Sequence, residues 1–263
     1  MNQLSTKYTI HLQGEYSGEF LQGQLTCNID AIQSNQWSLF AYCNRLGKVI
    51  ATGYIHCHNK QSWSIIVDRQ IKDLVIQKLT PIAMLSSVTI SNKYIAVAST
   101  TTINASSIQI PHSNYFLSLI LTTTTPTSNN IEQEFAYHEL LCNIPTISSN
   151  NTNKFTPNSL KLEQIILQNT AGLSFNKGCY IGQEVVSKIH HKGLIKKAFF
   201  VAKTTQNHAI EPLQPIYQNT TQVGFIIQTL TTSNLIGCII PIINQNQLYW
   251  QTATKQIPIE LAS

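Results

Sequence analysis

No glycine stands between Gly53 and Gly172, and then Gly172, Gly178, Gly182 and Gly193 arrive close together. Glycine is placed where the backbone must turn with positive φ or come very near another group. A chain that withholds it and then clusters it is building one tight turn, and the fold must be one that presents that turn. The 263 residues suffice for one large or two modest domains with a substantial core. Hydrophobic residues make up 43%, which excludes wholesale disorder. Charged residues are only 11%, against a usual share of about 25%. The formal net charge of +5 is a mild bias towards anionic ligands, far from the dense basic stripe of a dedicated nucleic-acid binder.

The pattern along the chain is mixed. Residues 8–12 read as a strand and 17–25 as a short helix burying Phe20, Leu21 and Leu25. Residues 37–43 and 48–57 are apolar and β-leaning around Asn44-Arg45-Leu46-Gly47, a hairpin signal. A strand over 62–67 precedes Asp68, a cap for a helix whose apolar positions are Ile71, Leu74, Val75 and Leu79. Pro81 is expected just past its end. Further strands are expected at 88–90, 94–98 and 115–121, a polar loop at 122–130, a helix at 131–141 and another loop at 146–153. After Phe199 short β-leaning runs alternate with polar turns, which fits a small barrel or sandwich. The domain boundary falls near Lys196, dividing the chain into 1–196 and 197–263.

The glycine cluster carries the chemistry. Gly178 and Gly182 flank Cys179-Tyr180-Ile181, and no breaker follows over 183–188, so a helix begins near Gly182. Cys179 then sits just ahead of a helix N-terminus and two residues after Lys177, and both neighbours favour a thiolate. Such a thiolate serves as nucleophile, redox group or soft-metal ligand. A free cysteine is more often a small buried hydrophobe, and the other five, at 27, 43, 57, 142 and 238, read as packing. They form no C-x-x-C pair. His56 and His58 flank Cys57, but in a strand the two imidazoles share one face and the thiol takes the other. His190-His191 read as surface. Phosphate-loop, dinucleotide, zinc-protease and serine-hydrolase motifs are all missing from the sequence. Without an export signal or an apolar run of about 18 residues, the chain reads as cytoplasmic and outside the membrane.

The string Lys177-Gly178-Cys179-Tyr180-Ile181-Gly182-Gln183-Glu184 resembles the K-G-C-[FY]-x-G-Q-E signature of the YgfZ family, folate-binding proteins related to the glycine-cleavage T-protein, GcvT. Gly14 through Asn28 is similar to the family's N-terminal G-x-D…F-L-Q-G-Q-x-T-x-D, and Tyr42 through Lys48 to its x-C-D-x-x-G-[RK]. Ile144-Pro145, Phe155-Thr156-Pro157, Lys192-Gly193 and Lys196-Lys197 match further landmarks. Glu15-Tyr16, Asn28 and Asn44 depart from the expected Asp pattern, Asn143 replaces a glycine, and Phe135 stands where a tryptophan is expected. The resemblance implies an α+β fold of the GcvT/YgfZ type: two intertwined α+β parts around a central cavity, plus a C-terminal β-barrel.

It further implies a tetrahydrofolate, or a related folate, in that cavity. Phe135 is then the wall for the pterin. Gln22, Gln24 and Glu184 are expected along its polar edge, Arg45, Lys188 or Lys177 at the glutamate tail, and Tyr180 and Gln183 among the other cofactor-binding residues. Cys179, with Lys177 beside it, is the working thiol. The function implied is that of an accessory factor for iron–sulfur cluster assembly or repair, serving enzymes that methylthiolate tRNA. Its partners are iron–sulfur proteins or their assembly factors, with at most a weak tRNA contact, and a monomer is the default. Two alternatives stay open. One is folate-dependent aminomethyl transfer, against which Lys48 through Gly53 holds no carboxylate. The other is a tRNA- or protein-binding module, prompted by the basic run 188–197.

Overall fold

The computed structural model describes residues 2–99, 107–109, 116–122, 131–152, 154, 172–192, 197–204, 210–242, 248–251 and 256–261. Most of the loop expected at 122–130, the Phe155-Thr156-Pro157 landmark and the boundary at Lys196 lie outside the described residues.

The first lobe is a five-stranded antiparallel sheet, formed by β2 (Lys7–Gln13), β3 (Trp37–Cys43), β4 (Val49–Asn59), β5 (Ser62–Asp68) and β6 (Thr89–Ser91) in the order β3-β4-β5-β2-β6. Register assigns the faces, because directly paired residues point the same way. Ile10 pairs Ile65 and Leu12 pairs Trp63, while Ile55 and Cys57 pair the same two residues from the other side. That face is apolar and fully buried. It is covered by α1 (Ser17–Gln24) with Phe20 and Leu21, and by α2 (Lys72–Leu85) with Val75, Leu79 and Ala83. The Asp68 carboxylate accepts from the Gln70 amide, as expected of a cap, and starts the short turn Arg69–Ile71 that leads into α2. Pro81 does not end α2. The helix runs on through it to Leu85, because Ala83 continues the buried stripe of Val75 and Leu79 beyond the proline.

The opposite face is polar. Lys7 pairs Asp68, Thr9 pairs Ile66, Tyr54 pairs Ile66, and His11 and His56 both pair Ser64. A polar sheet face survives inside a protein only if other groups satisfy it. Here a second lobe covers it. β1 (Asn2–Gln3), β7 (Ile95–Ser99), β8 (Ser107–Gln109) and β9 (Phe116–Thr122) form a sheet in the order β1-β7-β9-β8, with β7 against β2 and β8 against β3.

Helix α3 (Ile131–Leu141) packs on the same side. It ends in a double-bonded left-handed turn: the Ile144 amide donates to the Glu139 carbonyl and the Asn143 amide to Leu140. Asn143 takes φ +55, which asparagine tolerates where glycine is usual. The turn swings Pro145 and Thr146 back over the polar face.

The strands β10 (Lys197–Thr204), β11 (Pro215–Gln218), β12 (Thr221–Leu230), β13 (Leu235–Pro241), β14 (Leu248–Gln251) and β15 (Gln256–Leu261) close a barrel in the order β10-β13-β12-β11-β14-β15, with β15 returning to β10. Ile216, Ile226, Cys238, Ile240, Trp250 and Ile257 fill it. A separate core runs through both lobes and reaches barrel residues Phe199, Ile227 and Ile239. A register shift in β12 leaves Ile227 out of the ladder, and the side-chain carbonyl of the next residue, Gln228, accepts from the Thr146 amide and ties the barrel to the lobes.

Candidate functional site

The glycine-flanked loop lies along the first lobe. The Ser174 amide donates to the Thr26 carbonyl, the Thr26 hydroxyl to the Gly172 carbonyl, and the Ile181 amide to Gly23. Lys177 reaches further in. Its ammonium donates to the carbonyls of Gln22, Leu25 and Cys27 at 2.8, 2.6 and 2.7 Å. These are carbonyls at and just beyond the end of α1, where a helix leaves its last acceptors unpaired and a cation is favoured. Burial draws this ammonium down to about 8. The thiol that feels its charge is Cys27, itself pushed up to about 12 by burial. Lys177 therefore holds the loop, with all three of its donors engaged.

Next along the chain, the Gln183 amide donates to the Tyr180 carbonyl, and its side-chain carbonyl accepts from the Tyr180 amide at 3.2 Å. The reciprocal pair fixes the turn just before α4 (Gln183–Lys192). Gly182 takes φ +86, and a Cβ there would lie 2.5 Å from the Asn44 carbonyl oxygen in the β3–β4 hairpin. Gly47 in that hairpin answers with φ +69, its position closed by Val185. Loop and hairpin are keyed to each other. Cys179 stands exposed on this braced turn, while the other five cysteines are buried.

A second locus lies between the lobes. Lys7, at the start of β2, meets Glu139 of α3 with its ammonium 2.7 and 2.9 Å from the two carboxylate oxygens. The Tyr54 hydroxyl donates to the same carboxylate at 2.8 Å. Burial first, and then the Glu139 charge, holds the Tyr54 phenol protonated. Asp68 faces them, its carboxyl raised chiefly by burial. Together with Thr52, Thr146 and Pro145 these groups line a narrow cavity of about 10 Å³. Thr52 donates to the Pro145 carbonyl at 2.7 Å, closing one side. Phe135 is 2% exposed, with Tyr54 at its edge and the Lys7 ammonium 5.7 Å above its ring.

The expected folate residues do not converge on this cavity. Phe135 lies behind it. Gln22 bonds Asn28, Asp30 and the Ile29 amide, beside an open groove of about 280 Å³ shared with Glu15, Glu19 and Lys60. Gln24 and Tyr180 are buried with their side-chain oxygens unpartnered. Arg45, Glu184 and Lys188 are exposed. Lys7, Tyr54, Asp68 and Glu139 are the residues that sequence reasoning missed. One signal was available: Glu139 follows Phe135 by four residues and so shares its helix face.

Farther along the polar face, His11, His56 and His58 pack edge to face, with centroids 5.4 Å (His11–His58) and 4.6 Å (His56–His58) apart. His11 Nδ1 and His58 Nε2 lie 3.2 and 2.8 Å from the Ser64 hydroxyl. Burial lowers His56 and His58 to about 4. Cys57 points to the other face, and among the described residues no three such side chains converge as a metal site. Among the same residues no helix is long and apolar enough to cross a membrane.

These features define a protein of the aminomethyltransferase T fold. The crystal structure of the glycine cleavage system aminomethyltransferase T from Bartonella henselae matches 99% of this chain and 84% of its own, with a TM-score of 0.70 at 12% identity. By sequence the chain is a relative of the YgfZ proteins. It is 26% identical to the tRNA-modifying protein YgfZ of Sodalis glossinidius over 226 residues, covering 73% of this chain and 67% of that one. It is 27% identical to the protein of the same name from Buchnera aphidicola subsp. Schizaphis graminum over 233 residues, covering 75% and 71%. An uncharacterized protein of Haemophilus influenzae is 27% identical over 209 residues, covering 76% and 72%. No family model matches the chain.

Proposed function

We propose that this chain is a folate-binding accessory protein of the cytoplasm that supports tRNA modification, by serving iron–sulfur enzymes that methylthiolate tRNA. The observation that carries this reading is Cys179: of six thiols it alone is exposed, on a turn braced by Lys177, Gln183 and the hairpin. An exposed thiol on a rigid mount suits exchange with a partner protein's sulfur or cluster. The names of the YgfZ relatives point to tRNA, and the fold is that of an aminomethyltransferase.

The inter-lobe cavity has the chemistry for a reduced pteridine. Glu139 offers carboxylate acceptors to an amino-pyrimidinone edge, Tyr54 supplies aromatic wall with Phe135 behind it, and Thr9 on the same sheet face has a buried hydroxyl without a partner. Tetrahydrofolate, when bound, supplies a one-carbon carrier. Deleting the gene is expected to deplete methylthiolated nucleosides in tRNA, read by mass spectrometry, and the intact chain to restore them. Normal levels in the deletion strain contradict the reading.

A second reading, folate-dependent aminomethyl transfer, has one observation in its favour. The carboxylate missing from 48–53 is replaced at the cavity by Asp68 and Glu139, contributed by other elements. Incubation with an aminomethyl-lipoyl carrier and tetrahydrofolate tests it, and formation of methylenetetrahydrofolate would put this reading first.

A further inference from the structure

We propose that Lys7 is a two-position latch: its ammonium closes the inter-lobe cavity on Glu139 and moves to Asp68 when a ligand's donor edge takes Glu139. This rests on the folate reading of the cavity and adds how that cavity opens.

The closed seat is on the page. Lys7 and Glu139 are 8% and 3% exposed, and their ion pair bridges strand β2 of one lobe to helix α3 of the other. A buried ion pair is a poor source of net stability, because desolvating both charges offsets most of the attraction. Its better-attested use is to specify one of two states. The cavity as closed, at about 10 Å³, has room for about one water and lies far below the roughly 300–1,000 Å³ of sites that take drug-sized ligands. Something must move before a folate enters.

The two partners are held unequally. Glu139 keeps the Tyr54 hydroxyl at 2.8 Å and the Thr146 hydroxyl at 3.5 Å if Lys7 leaves, and its backbone is locked in the turn that ends α3. The Lys7 ammonium has the Glu139 carboxylate and the face of Phe135. The long flexible side chain is therefore the part that moves.

The second seat is also present. Asp68 is the direct cross-strand partner of Lys7 in the antiparallel pair β2–β5, so their Cβ atoms lie about 4.5–5.5 Å apart. Asp68 lines the same cavity, and the Lys7 charge already acts to lower its carboxyl against the pull of burial. Moving from Glu139 to Asp68 keeps the ammonium paired throughout. It also clears the space over Phe135 and leaves the Glu139 carboxylate facing the cavity.

The test is calorimetric titration of tetrahydrofolate and 5-formyltetrahydrofolate into wild type, Asp68→Asn and Lys7→Met. Asp68→Asn keeps the closed pair and the acceptor for the Gln70 amide but removes the charged second seat. It is expected to weaken binding about tenfold, roughly 1.4 kcal/mol. Lys7→Met removes the latch and is expected to bind more tightly than wild type. Wild-type affinity in either variant overturns the latch while leaving the folate reading intact. If Lys7→Met does not fold, Asp68→Asn decides alone. If wild type and every folded variant fail to bind either folate, the folate reading of the cavity fails and the latch with it.

Discussion

Gly182 and the carbonyl of Asn44 are in such close contact that a single methyl group at 182 would sit 2.5 Å from that oxygen. The contact joins the loop that carries Cys179 to the hairpin of the first sheet, and it explains why glycine is needed there. Gly178, four residues back on the other side of the cysteine, has open space around it.

The two glycines of the signature should therefore behave differently. Gly182→Ala combines a steric clash with a left-handed φ and is expected to cost about 1–3 kcal/mol. Gly178→Ala should shift the urea midpoint little. Equal effects on chemical denaturation contradict the keyed packing of loop and hairpin.

Lys177→Met leaves three carbonyls near the end of α1 without their cation. Charge-assisted bonds of this kind contribute about 1.5–3 kcal/mol each at most, with losses less than additive. The expected result is destabilisation of about 2–4 kcal/mol, with faster labelling of Cys27, which is shielded in the native loop. Unchanged stability would show that the lysine does not hold the loop.

Lys7 and Glu139 should be coupled. Glu139→Leu strands a buried ammonium and Lys7→Met strands a buried carboxylate, each expected to cost about 3–5 kcal/mol. The double variant Lys7→Met, Glu139→Leu removes both charges and should recover most of that loss. A double-mutant cycle in urea measures the coupling, and simple additivity of the two losses contradicts the pairing.

The histidine cluster predicts acid sensitivity. His56 and His58 stand at about 4 when folded, below the ordinary imidazole value near 6.5 in the unfolded chain. Between those values the unfolded state binds more protons, so stability is fully present above about pH 6.5 and falls as pH drops towards 4. Replacing His56 with Gln should flatten this part of the profile. A wild-type stability that is level from pH 7 to 4.5 contradicts the buried neutral cluster.

Much of the architecture was legible because hydrophobic period and turn residues are local signals. The hairpin around Asn44–Gly47, the Asp68 cap, the helix over 131–141, the barrel and the helix after Gly182 all follow from such patterns. Pro81 misled, because a helix boundary is also set by whether the buried stripe continues, and Ala83 continues it. The loop with Cys179 announced itself through its glycines. The Lys7–Glu139–Tyr54–Asp68 group did not, since its members are scattered over the chain and meet only when the polar sheet face is capped by α3. The role of Lys177 was hidden for the same reason: the carbonyls it serves lie about 150 residues away in sequence.

The most direct measurement is the content of methylthiolated nucleosides in tRNA from a deletion strain carrying either the wild-type chain or Cys179→Ala, with the thermal melts of the two proteins compared. The account predicts full restoration by wild type, none above background by Cys179→Ala, and matching melts, because Cys179 is exposed and packs no core. Full restoration by a folded Cys179→Ala protein would contradict it.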